Sequence, residues 1–294
     1  MDDIWHRLGR IFRISNLGTL IFFLLNMGLV LAVFCPNGVT AATAVPLIFC
    51  YIASVLISLS PLGEWVFAAL AGAREMKQID VKIRLIPLLE IVFDRAKRRN
   101  PTMVNSIRLK IIHDSTPNAF AIGRKTICVT DGLLELSDQE IMAVFAHEVG
   151  HLVYHHSALQ LLIGGGNLFI SGILLIVKLV CWMITGLCTV IGLTTRRFWG
   201  VLLLTLFGSL SSGLIWLWTK FCTLFLRWSM RQNEYIADEY AFHLGFGETL
   251  ANVLGDRLCS LPENGLLKAL YATHPNSYDR VARLRQLGAE YSHY

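Results

Sequence analysis

Long uncharged apolar runs constrain this chain more than any other feature. Residues 17–34 and 41–60 carry no Asp, Glu, Lys or Arg, and each is close to the roughly 20 residues a helix needs to cross a bilayer. Hydrocarbon offers backbone N–H and C=O groups no partner except one another, so such runs must be helical. The turn Cys35-Pro36-Asn37-Gly38 separates them, and together they read as a transmembrane hairpin. Composition agrees, with 54% apolar and 16% charged residues and a mean hydropathy of +0.53, outside the usual range of a soluble domain. Arg7, Arg10 and Arg13 ahead of the first run would also suit a cleaved signal peptide. However, Val33-Phe34-Cys35 offers no small-residue cleavage site, so a retained anchor is expected.

The chemistry-bearing feature is His147-Glu148-Val149-Gly150-His151. On a helix, positions four apart project from nearly the same face, so the two imidazoles can converge on one metal ion. Glu148 between them can then take a proton from a water whose pKa the metal lowers from about 15.7 to about 7. Ser137-Asp138-Gln139-Glu140 ahead of the motif resembles an N-cap with an acidic first turn. Ile141, Val144, Phe145, Glu148, Val149 and Leu152 follow at helical spacing, which predicts a helix from about Asp138 to His155. His155 and His156 fall outside the spacing of His147 and His151 and read as bland.

Catalytic zinc sites use three protein ligands and leave a position open. Glu234 and Asp238 sit one helical turn apart after a long apolar stretch. Glu234 can complete a two-His, one-Glu set, while Asp238 can accept from the second ring nitrogen of a ligand histidine and so fix its tautomer. Taken alone, the same residues with Glu239 would be a solvated acidic helix face.

Four pieces of the chain, in this order, resemble the HtpX-type membrane metallopeptidases, relatives of the CAAX prenyl proteases. They are Asn118-Ala119-Phe120-Ala121 with Gly123, the His147 to His151 motif, Glu234 with Asp238, and Thr273-His274-Pro275 with Arg280. The resemblance implies an endopeptidase with one zinc held by His147, His151 and Glu234, and with Glu148 as base. It further implies that Asp238 supports a ligand, that His274 helps hold a developing oxyanion and that Arg280 stands beside the carboxylates. On their own, His274-Pro275 would be loop chemistry before a helix and Arg280 a surface cation. The segment between Asp238 and His274 is shorter than the family pattern leads one to expect. Asn118 to Ala121 reads as a short strand joined by a Gly123-Arg124-Lys125 turn to Thr126–Thr130. If its edge is open, an extended peptide substrate can add to it through main-chain hydrogen bonds.

Two further apolar blocks lie between His151 and Glu234, with spans expected at about 159–193 and 199–226. Both ligands must reach one metal on one side of the membrane, so an even number of crossings separates them. One span per block follows, and four in the chain. The excess length of the first block is assigned to the motif helix running towards the bilayer, with Gly164-Gly165-Gly166 as a break; Lys178 within it is placed near an interface. The expected organisation is a predominantly α integral membrane protein with a small β element: an N-terminal segment and hairpin (1–60), a first part of an α+β zinc metallopeptidase domain (61–157), a second hairpin (158–226) and a second domain part (227–294). Lys and Arg concentrate in the N-terminal segment, between Pro61 and Ser157 and after Leu226, which places the catalytic side in the cytoplasm. Arg196 and Arg197 run against that rule.

The net charge of +5 has no clustered basic and aromatic platform beside it, so no nucleic-acid partner is expected. The seven cysteines show no paired spacing and read as small core hydrophobes. The reading is a zinc-dependent endopeptidase of the bacterial cytoplasmic membrane, acting on membrane or unfolded polypeptides in quality control and stress response. The alternatives are a CAAX-type prenyl-protein protease, disfavoured by only four spans, and a catalytically silent membrane adaptor.

Overall fold

A computed structural model describes residues 14–35, 38–161, 163, 176, 179–180, 182–187, 189–190, 198–257 and 277–291. Its contacts divide the chain into two compact units, one of residues 1–17, 56–162 and 227–294, the other of residues 18–55 and 163–226. Gly164 to Gly166, Lys178, Arg196, Arg197 and His274 lie outside the described residues.

In the second unit, helices α1 (Leu17–Phe34) and α2 (Ala41–Ser58) are uncharged and mainly apolar. Val30 and Tyr51 are buried together among Phe23, Met27, Leu47 and Val55. Other side chains of the two helices are exposed, among them Leu24 at 73% and Phe49 at 70%. Among the described residues, α2 is the one helix long and apolar enough to cross a membrane, with a shorter apolar helix at Leu17–Ala32.

The first unit carries the sheet, the shorter helices and the C-terminal part of a long helix whose residues up to 226 belong to the second unit. Helix α3 (Pro61–Leu70) starts with Ser60 as N-cap and proline in its first turn, the position where a missing N–H costs nothing. Strand β1 (Arg74–Glu75) precedes helix α4 (Ile79–Arg99), which buries Leu85, Leu88, Leu89, Val92 and Ala96. That spacing of three, four and seven is the apolar stripe of a helix packed on one side.

Strands β2 (Arg108–Ile112), β3 (Ala119–Ile122) and β4 (Thr126–Thr130) complete a four-stranded sheet of order β1-β2-β4-β3. The β2–β4 pair is parallel and the others antiparallel. β3 is therefore a terminal strand. Cys128 is fully buried in β4, and burial pushes its thiol up to about 12, as befits a packing residue rather than a nucleophile.

Helix α5 (Asp138–Val153) carries the histidine motif. Ser137 and Glu140 form a reciprocal capping box, with the Ser137 N–H donating to Glu140 Oε2 at 2.7 Å. Arg84 of α4 fixes the same end: its guanidinium pairs with Asp138 at 2.9 Å and donates to the Leu134 and Leu136 carbonyls at 2.6 Å each. From Ile141 to Val153 every residue of α5 is buried, because α4, β3 and later helices cover it from several sides. The helix ends two residues earlier than its sequence predicts. His155 adopts φ +61, a left-handed conformation that no helix can continue, and the chain becomes helical again at 156–161.

The 44-residue helix α6 (Phe198–Ala241) brings Glu234 and Asp238 into this unit, and a wider turn follows over Phe242–Phe246. Gly245 breaks it at φ +86, a conformation glycine takes without steric cost. Arg95 caps this end by donating to the Leu244 carbonyl at 3.3 Å and stacking over Phe246. Helices α7 (Gly247–Asn252) and α8 (Ser277–Gln286) close the core around α5.

Phe145 is the largest of the side chains buried without residual exposure. Phe145→Ala is expected to destabilise the fold by about 3–5 kcal/mol. Chemical denaturation in detergent would show this as a lower midpoint, and a change below about 1 kcal/mol would contradict the packing described.

Candidate metal centre

One turn of α5 places His147 above His151, and Glu234 of α6 comes between them. His147 Nε2 and His151 Nε2 stand 3.1 Å apart. Glu234 Oε2 is 3.4 Å from the first and Oε1 is 3.3 Å from the second. All three side chains are buried. Zinc bonds of about 2.0–2.1 Å in a tetrahedron set ligand atoms about 3.3–3.4 Å apart, so the donor set and its spacing fit a zinc ion.

That convergence needs two helices to touch. A Cβ added to Gly150 would lie 3.1 Å from Ala237 Cα and 3.3 Å from its carbonyl oxygen. The glycine inside the motif and the alanine one residue before Asp238 thus let the backbones approach.

The outer ring nitrogens are held as well. His147 Nδ1 lies 2.9 Å from Asp238 Oδ1. Arg280 of α8 engages Asp238 through two bonds, Nε to Oδ2 at 2.8 Å and Nη2 to Oδ1 at 2.6 Å, and its Nη1 is 3.4 Å from Glu234 Oε2. Arg280 is only 6% exposed; such a cation persists because a bidentate carboxylate faces it. Burial would raise the Asp238 pKa, but Arg280 and then His147 outweigh it and hold the carboxyl down at about 2. Burial and the Arg280 charge both work against a cationic His147, yet Asp238 and Glu234 outweigh them and raise its pKa to about 10. The carboxylates favour a positive charge on the ring, and at Nε2 a proton and a metal compete.

His151 is supported differently. Its Nδ1 is 3.2 Å from Nδ1 of His156, a residue 2% exposed and stacked on Tyr154. Spacing alone set His156 aside, since it lies beyond the helical face. The left-handed His155 turns the chain and returns His156 to the cluster. A run of three polar residues Tyr154-His155-His156 directly after a buried helix was the available signal.

Glu148 is buried, with Oε1 4.0 Å from His147 Nε2. Its Oε2 accepts the Ala121 N–H of β3 at 2.7 Å. One oxygen is therefore held by the sheet while the other faces the donor triad. The Asn118 carbonyl accepts from Thr130 N–H at 2.9 Å, and the Asn118 N–H donates to Thr130 Oγ1 at 2.8 Å. Asn118 thus faces β4, just before the strand. By antiparallel alternation, Phe120 and Ile122 also bond to β4, and the main-chain groups of Ala119 and Ala121 point outward.

Across residues 87–288 the chain matches the family model described as Peptidase family M48. A protein named "Protease HtpX homolog" from Tropheryma whipplei (strain Twist) is 26% identical over 206 residues, covering 62% of this chain and 66% of that protein. Another "Protease HtpX homolog", from Halobacterium salinarum, is 26% identical over 273 residues, covering 76% of this chain and 84% of its own length. The crystal structure of S. mikatae Ste24p superimposes with a TM-score of 0.46 and 17% identity, over 96% of this chain and 65% of that one.

Removing the outer partner of a metal-binding histidine costs about 10–100-fold in metal affinity. Asp238→Asn is expected to weaken zinc binding by that factor in competition with a fluorescent chelator, and unchanged affinity would remove Asp238 from this role. With the ligand geometry and the family match in hand, this chain belongs to peptidase family M48.

Proposed function

We propose that this protein is a zinc-dependent endopeptidase that hydrolyses peptide bonds of membrane or misfolded proteins at the cytoplasmic face of a bacterial inner membrane. The observation that carries the reading is the buried triad of His147, His151 and Glu234 with the Glu148 carboxylate 4.0 Å from one of its donors. Two imidazoles and a carboxylate are a donor set of catalytic zinc. Zinc held there would act as a Lewis acid, increasing the acidity of water and polarising a peptide carbonyl.

The chain's own groups take the proton steps. Glu148 Oε1 accepts a proton from the attacking water and delivers it to the leaving amine, while the Ala121 N–H keeps Oε2 turned away. Asp238 accepts from His147 Nδ1 and His156 from His151 Nδ1, so both Nε2 lone pairs point inward. Arg280 balances the buried carboxylates. His274, assigned by motif alone, steadies the oxyanion. An extended substrate would lie along β3 and use the main-chain groups of Ala119 and the carbonyl of Ala121, whose N–H stays with Glu148, with little demand on its side chains.

Membrane attachment rests on the apolar surface of α1 and α2, whose outward Leu24 and Phe49 suit hydrocarbon rather than water. We place two more crossings within residues 158–226, so that residues 61–157 and 227–294 share one side. Basic residues in those two segments favour the cytoplasm.

Glu148→Gln is expected to retain one zinc per chain and to lose about 10²–10⁴-fold in turnover. The assay is cleavage of an unfolded reporter by the zinc-loaded protein in detergent. Cleavage by the Gln variant at the wild-type rate would rule out Glu148 as base. Activity confined to a farnesylated peptide would move the substrate assignment to prenylated tails.

A further inference from the structure

We infer that Glu64 is a positioning residue for this site, fastening the β3–β4 turn so that the Ala121 N–H stays against Glu148. The catalytic consequence rests on the peptidase reading above; the geometry does not.

Glu64 is a carboxylate 8% exposed on the inner face of α3. Its neighbourhood is apolar, with Ala68 of the same helix face packed among Ile112, Ile122 and Cys128. A carboxylate is expensive to bury there unless its oxygens are bonded. Oε1 accepts from the buried Thr126 hydroxyl, and Oε2 lies 3.5 Å from the Arg124 N–H. Gly123 sits directly against it: a Cβ at that position would be 2.7 Å from Glu64 Oε2, and φ there is +63. Ser157, 2% exposed, also donates through Oγ to the Gly123 carbonyl at 2.6 Å. The turn Gly123 to Lys125 and the first residue of β4 are thus gripped by α3 and by the segment just after the motif helix.

A left-handed glycine is enough to close a hairpin of this length, so a buried charge is more than the turn itself requires. What the grip does control is the strand end nearest the base. Thr126 pairs with Ile122 and Ile127 with Ala121. The residue whose N–H reaches Glu148 is thus one rung from the residue Glu64 holds. If the turn loosens, the terminal strand is free to lift at Ala121, and Glu148 loses the donor that orients it.

The test uses the full chain in detergent, loaded with zinc, and compares Glu64→Ala, Glu64→Gln and Thr126→Val with wild type. Hydrogen–deuterium exchange is read on peptides covering 118–126 and 141–153, beside kcat and KM on an unfolded reporter. Loss of a buried bond should raise exchange at 118–126 at least about tenfold in Glu64→Ala, with 141–153 and the zinc content unchanged. The same variant should lose about tenfold in kcat with KM within about threefold, and Glu64→Gln, which keeps the acceptor for Thr126, should restore both. Thr126→Val deletes the hydroxyl at constant shape and should reproduce the alanine effect, including where Glu64→Ala does not fold. Unaltered exchange at 118–126, or equal rises in both peptides, would overturn the clamp. So would a KM effect without a kcat effect. The exchange readout does not depend on turnover, so a wild-type protein without peptidase activity would refute the peptidase reading while the clamp is still decided by exchange.

Discussion

The close approach of α5 and α6 at Gly150 and Ala237 is the constraint on which the rest of the site depends. Glu234 reaches two histidines of another helix only because neither backbone carries bulk at the crossing. The motif's two variable positions are Val149, which is buried in the core, and Gly150, which is the contact. A β-branched residue at Gly150 would have to push α6 away and would separate Glu234 from His147 and His151. Helix packing, and not ligand identity alone, sets the distances of 3.1–3.4 Å among the donors.

Around that crossing the protein buries an unusual density of charge. Glu148, Glu234, Asp238 and Arg280 are each 6% exposed or less, and every one has a counterpart. Arg280 joins Asp238 through two bonds and approaches Glu234; Asp238 in turn orients His147. Unpaired, such groups would cost several kcal/mol each. Paired, they leave the ligand nitrogens with fixed tautomers and an excess of negative charge at the centre, which a divalent cation would balance.

Much of this was legible in sequence because it follows local rules. The N-cap and acidic first turn at Ser137 to Glu140 located the start of α5. β4 runs from Thr126 to Thr130, the hairpin partner expected after the Gly123-Arg124-Lys125 turn. What was not legible depends on tertiary context. His155 takes a positive φ, uncommon outside glycine, and only that break brings His156 to His151. Asn118 turns its main chain towards Thr130 because the Thr130 side chain accepts it, a choice that strand propensity cannot register. Helix α3 and its Glu64 lay next to a long apolar run and offered no motif; their role emerges only where the hairpin turn folds against them. The donors of Glu234 and Asp238, by contrast, were readable from one turn of spacing once the histidine pair supplied a reason to look.

The central claim is that His147, His151 and Glu234 bind one zinc ion, and X-ray absorption at the zinc edge on the purified protein tests it most directly. The account predicts one zinc per chain, a first shell of nitrogen and oxygen at about 2.0–2.1 Å with two imidazoles, and loss of that signature in Glu234→Ala. A shell containing sulfur at about 2.3 Å, or no stoichiometric zinc in the wild-type protein, would contradict it.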